Sequence, residues 1–94
     1  MNPIQFKSFT CKVDTSNYMV DNTKVCILLR DVEDNTPIVK ATVYIENLKE
    51  GEVAIKDYSE NEGILQVLIE NNVIEYPHRT QDGFPISYLK NIPQ

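Results

Sequence analysis

Through the first half of the chain, apolar and polar positions alternate with the two-residue period of strands. In "CKVDTSNYM" Cys11, Val13 and Thr15 share one side, with Lys12 and Asp14 between them. "VDNT" puts Asp21 and Asn22 at the centre of a tight turn, because both residue types tolerate the positive φ of a two-residue hairpin. The run Val25 to Leu29 in "KVCILLRDV" is apolar on both sides, which is the pattern of a central strand covered on each face. "DVEDNTP" reads as the next turn; Pro37 ends it and can open a strand, since a first position need not donate to the ladder. "IVKATVYIE" sets Val39, Ala41, Val43 and Ile45 on one face against Lys40, Thr42 and Tyr44 on the other. These three strands predict an antiparallel meander. Nearer the N-terminus, Ile4 and Phe6 lie in one phase and Phe9, Cys11 and Val13 in the other, so a bulge or a bend between two short strands is expected.

After a polar loop around Gly51 and a short extended "VAI", the period changes to that of a helix. Ser59 and Glu62 have the S-x-x-E spacing of a capping box. Ile64, Leu65, Leu68 and Ile69 then form an apolar stripe, with Glu62, Gln66 and Glu70 opposite. The expected helix runs from Glu60 to Asn71 and stops at Asn71-Asn72, with one Asn left-handed and Val73 folding back on Leu68 or Ile69. Beyond it, "VIEY" suits a brief strand, "PHRTQDGFP" a loop and "ISYLK" a last short strand. The fold class expected over the single domain 1–94 is α+β: an antiparallel meander of three to five strands with one amphipathic helix packed on one face. The helix stripe is expected to meet Val25, Ile27, Leu29, Val39, Ala41 and Val43.

Charge changes this picture by its distribution. The formal net charge is −5, but residues 46–75 alone carry −6, from eight acids against two bases. No basic stripe is visible, which argues against direct nucleic-acid binding. An acidic region suits either a basic partner or plain solubility. No apolar run is long enough to span a bilayer, and "MNPIQFKSFT" has neither the basic start nor the apolar stretch of a signal peptide. A cytoplasmic protein with two reduced thiols, Cys11 and Cys26, is therefore expected.

Candidate chemistry is sparse. Asp57, Glu60 and Glu62 cluster as a carboxylate site would, yet the helix start gives each of them a structural task. "DVEDN" fails the EF-hand pattern, because Glu33, Thr36 and Thr42 stand where that loop needs other residues. His78 is the only histidine, and neither cysteine stands in a metal or nucleophile spacing. No catalytic residue, metal or cofactor is therefore expected. Gly63 is odd in a first helical turn, where Ala is the better residue. Either the helix end tolerates it, or something packs close against the backbone there. "EYPHRTQDGFPISY" gathers Tyr76, His78, Arg79, Phe84 and Tyr88 in or beside a proline-stiffened loop. Either Tyr76 and Phe84 simply cover one edge of the core, or these residues form an interaction surface, together with Glu60, Glu62, Gly63, Gln66 and Glu70.

An apolar strand leading to an acidic turn and Pro (Leu28 to Pro37), the pair Thr42-Val43, and "KDYSENEG" at Lys56 to Gly63 together resemble a family of short, uncharacterised proteins from bacterial plasmids, conjugative elements and phages. The resemblance covers about residues 18–75. It implies a mobile-element setting and an accessory role, and brings no catalytic residue with it. The expected function is non-enzymatic protein–protein binding, as a monomer or homodimer, with an acidic mimic of nucleic acid directed at a basic partner as one version. A small-ligand sequestering module and a compact enzyme are the alternatives.

Overall fold

The computed structural model describes residues 3–90. The strands are β1 (Ile4–Phe6), β2 (Phe9–Asn17), β3 (Val25–Asp31), β4 (Pro37–Lys40), β5 (Thr42–Val43), β6 (Glu52–Ile55), β7 (Arg79–Gln81) and β8 (Phe84–Tyr88). A single 3-10 turn at Ser59–Asn61 precedes the helix α1 (Ile64–Glu70). The α+β class stands, but the single meander does not. The strands form two antiparallel sheets of four, β1-β2-β3-β4 and β5-β6-β8-β7.

The division falls inside "IVKATVYIE". The Ala41 N–H donates to the Ile27 carbonyl of the first sheet (2.9 Å), while the Ala41 carbonyl accepts from the Lys56 N–H beside the second (2.9 Å). Ala41 is fully buried at this crossing, where a larger side chain would meet both sheets. Thr42 fastens the same seam: its Oγ1 accepts from the Ile27 N–H (3.2 Å) and bonds the Tyr18 hydroxyl (2.8 Å). Burial pushes that Tyr18 hydroxyl up to about 12. Unbroken alternation through the segment could not reveal the change of partner, because a period of two reports faces and not neighbours.

The N-terminal phase shift is a hairpin. β1 and β2 pair Phe6 with Phe9 across Lys7-Ser8, and Lys7 takes φ +57. The turn expected at Asp21-Asn22 is longer than two residues. It runs between paired Asn17 and Val25, and Asp21 holds it by accepting from both the N–H (3.0 Å) and hydroxyl (2.6 Å) of Thr23. On β3, Ile27 and Leu29 are buried, whereas Cys26 and Leu28 on the other face are only half-buried. β4 starts at Pro37 as expected and pairs with β3 through a bulge at Leu29/Arg30.

The helix is shorter than its pattern suggests, and its start is built differently. Ser59 makes no side-chain cap; it sits in the 3-10 turn at φ +59. The cap comes from Asp57, whose Oδ1 accepts from the N–H groups of Gly63 (2.9 Å) and Leu65 (3.1 Å). Gly63 is the residue before the helix, at φ +94, and open space surrounds the position of its missing Cβ. Its identity follows from a left-handed backbone, so neither tolerance of a helical glycine nor close packing accounts for it. The far end matches expectation: Asn72 takes φ +61, the Asn72 N–H donates to Ile69 (3.1 Å), and the Val73 N–H donates to Leu68 (2.9 Å).

Ile64 and Leu68 join Ile27, Leu29, Val39, Ala41, Val53, Ile55, Val73 and Ile74 in the main core, with Leu65 and Ile69 at its margin. Each such burial contributes roughly 1.5–3 kcal/mol. Val43 does not meet the helix stripe. It packs with Leu48, Ala54 and Ile86 in a second, smaller cluster on the outer face of the second sheet. "VIEY" makes only an isolated bridge, Ile74 to Leu89. The loop expected at "PHRTQDGFP" is instead a β7–β8 hairpin whose turn residues, Asp82 and Gly83, take φ +53 and +84. Asp-Gly is the residue pair that a two-residue hairpin with positive φ favours.

Candidate functional site

Pairing in the second sheet directs Glu52, Ala54, Arg79, Gln81, Phe84, Ile86 and Tyr88 to one face, because Glu52 opposes Tyr88, Ala54 and Arg79 both oppose Ile86, and Gln81 opposes Phe84. Leu48 covers the centre of this face, above Ala54 and Ile86. Around that patch lies a polar network centred on Glu52, whose side chain is only 1% exposed.

The Glu52 carboxylate accepts four hydrogen bonds. Oε1 takes the Arg79 Nη2 (2.6 Å) and the Lys49 N–H (2.7 Å); Oε2 takes the Arg79 Nε (3.0 Å) and the His78 Nε2 (2.6 Å). The guanidinium fork is thus bidentate. These bonds outweigh burial, with Arg79 the largest influence, and hold the Glu52 carboxyl down to about 2. Glu52 in turn pushes Arg79 up. An ionised carboxylate can only accept, so the His78 Nε2 carries the shared proton.

Both side-chain partners are held in turn. Arg79 Nη1 donates to Gln81 Oε1, and Gln81 Nε2 donates to the Glu46 carbonyl (2.7 Å). The His78 N–H donates to the Ile86 carbonyl (3.0 Å), and the imidazole stacks on Tyr88 at 4.2 Å and 11°. The Gly51 carbonyl accepts from the Leu89 N–H (2.8 Å), which fixes the start of β6 against the end of β8. At the opposite end of the face, Tyr58 tilts against Phe84 at 6.2 Å, with the Lys56 ammonium 5.5 Å from the Tyr58 ring centre. Tyr58 is 53% exposed.

Of the residues marked in the sequence, His78, Arg79, Phe84 and Tyr88 come together here. Tyr76 lies in the preceding link and is 78% exposed. Glu60 sits on the 3-10 turn, Glu62 and Gly63 in the link that follows, and Gln66 and Glu70 on the helix, which lies against β1 of the first sheet. Glu62, Gln66 and Glu70 are exposed, whereas Glu60 pairs with Lys56 at 2.6 Å and is drawn down to about 2 by that contact. Sequence reasoning missed Glu52 and Tyr58. The signal for Glu52 was an acid opening "EVAI", a strand whose four residues are all buried. Nothing in the sequence local to Tyr58 marks its contact with Phe84, 26 positions away.

A separate recess of about 340 Å³ lies where β4 and β5 meet the 3-10 turn, lined by Lys40, Thr42, Tyr44, Lys56, Glu60 and Asn61 among others. Asn61 is buried and donates to the Lys40 carbonyl (2.7 Å). Among the described residues, no group of three or more His, Cys, Asp or Glu side chains is arranged to hold a metal, and no helix is long and apolar enough to cross a membrane. No family model matches the chain, and neither a curated protein nor a solved structure matches it.

Proposed function

We propose that this chain is a non-enzymatic binding module that docks on another protein through the outer face of its second sheet. The observation that carries the reading is the buried Glu52 carboxylate, which fixes Arg79 and His78 beside Tyr88 at one end of a face whose other end carries Tyr58 and Phe84. Aromatic and arginine side chains supply most interface energy, and locking them beforehand lowers the entropy lost on docking. An accessory role in a bacterial mobile element or its host belongs to the same proposal and rests on the resemblance of residues 18–75, while a cytoplasmic setting rests on the lack of a visible export signal and on the two cysteines.

The acidic-mimic version has less support, because the Glu60 charge is already met by Lys56. The small-ligand reading is favoured by one observation, the 340 Å³ recess beside buried Asn61. Affinity capture from a bacterial lysate separates these readings. A partner retained by the native chain, lost with Tyr58→Ser/Phe84→Ser, and kept with Glu62→Lys/Glu70→Lys at raised salt is the expected result. Loss of the partner only in the charge-reversed chain, or only at raised salt, refutes the sheet-face assignment.

A further inference from the structure

The first sheet is built on an unequal hairpin. β1 pairs only with Phe9–Cys11, whereas β2 continues to Asn17. Two bonds fix the direction of the β2 backbone: the Val32 N–H donates to the Thr10 carbonyl, and the Tyr18 N–H donates to the Lys24 carbonyl. Even-numbered residues therefore bond toward β3. By the alternation of an antiparallel ladder, Val13, Thr15 and Asn17 turn their N–H and C=O groups the other way. Among the described residues no strand pairs with that side. Just past it, the hairpin tip holds Met19 and Val20, which are 102% and 76% exposed. An open edge of this kind is a template for another strand.

We propose that this edge pairs with the same edge of a second copy, antiparallel about Thr15, so that the two first sheets become one continuous sheet. Thr15 then faces Thr15 of the partner, Val13 faces Asn17, and Asp14 faces Ser16. Each of the three outward residues offers one donor and one acceptor, so the two-fold pairing makes about six backbone hydrogen bonds.

The charge pattern selects this register. The charged side chain on the open stretch is Asp14, which Arg30 meets at 2.9 Å on its own chain. Centring the pair on Asp14 would set two carboxylates face to face, which is unfavourable across a ladder. Centring it on Ser16 would shorten the pairing. The Thr15 register is the longest that keeps like charges apart, and a Thr–Thr pair is itself favourable. An interface this small associates weakly, so the dimer depends on concentration.

Sedimentation equilibrium from low micromolar to millimolar protein tests the proposal, with the mass expected to rise from one chain to two. Ser16 is exposed on β2, so its variants leave the folded monomer intact. Ser16→Lys places an ammonium opposite the partner's Asp14 and tightens the dimer, while Ser16→Glu places a carboxylate there and loosens it. Each contact occurs twice, so the two variants separate by about tenfold in Kd. Thr15→Pro removes a seam donor without removing a bond to β3 and abolishes association. Hydrogen exchange at the Val13, Thr15 and Asn17 amides slows as concentration rises. A chain monomeric at every concentration overturns the proposal. So does a dimer that ignores all three variants, or protection of those amides in the dilute monomer, which means that another segment of the same chain occupies the edge.

Discussion

Replacing Glu52 by Gln keeps the length and shape of the side chain but removes its charge and turns an acceptor into a donor. In the native chain four donors converge on that carboxylate, two of them from the Arg79 fork. After the change an amide N–H₂ faces the Arg79 or His78 donors. The magnitude follows from the carboxyl itself, which the fold holds at about 2 rather than 4.5. That interval corresponds to about 3 kcal/mol of stability at neutral pH. Because the folded-state value is lowered, the contribution is complete above pH 4.5 and fades as the pH falls from there toward 2. Urea unfolding of the native and Glu52→Gln chains over that range checks it. Acids common to both chains cancel in the difference. The expected difference is about 3 kcal/mol at neutral pH, closing below pH 4.5 and nearly gone at about pH 2. A difference below about 1 kcal/mol at neutral pH, or one that does not vary with pH, refutes the claim that the network depends on this charge.

Gly63→Ala separates backbone conformation from helix propensity. Apart from Gly63 and its two chain neighbours, no described residue comes within 4 Å of the added Cβ, and φ is +94, so left-handed strain dominates. A net loss of about 1 kcal/mol of stability in urea unfolding is expected, and a gain overturns that account. Asp57→Ala removes the acceptor for two amides and should cost about 1–2 kcal/mol, with Asp57→Asn recovering most of it in thermal unfolding. Ser87 is fully buried and its Oγ has no hydrogen-bond partner among the described residues, so Ser87→Ala should raise the melting temperature, by up to about 1 kcal/mol of stability. A lowered melting temperature instead shows that the hydroxyl is bonded in solution.

The candidate site divides along the same line as the fold. His78, Arg79, Phe84 and Tyr88 could be picked out by residue type in a short segment, since aromatic and arginine side chains beside prolines are visible locally. What joins them was not visible. Glu52 is 27 residues from Arg79, and in the sequence it is one acid in a block of eight. The Asp-Gly pair at Asp82-Gly83 did carry a hairpin signal, and the prolines on either side masked it.

By itself the sequence determined what depends on neighbours along the chain. Alternation marked β2 and β4, the continuous apolar run Val25 to Leu29 marked β3, the stripe Ile64-Leu65-Leu68-Ile69 marked the helix, and Asn71-Asn72 marked its end. These follow from residue spacing, and strand and helix periods are properties of a local backbone. Tertiary structure decided what depends on residues far apart. It split one apparent strand at Ala41 between two sheets, gave the helix cap to Asp57 rather than Ser59, and put Gly63 in the left-handed region just before the helix. It also buried Glu52 beneath a fork of donors. A carboxylate's role is set by the donors that surround it, and those donors are brought together only when the second sheet closes.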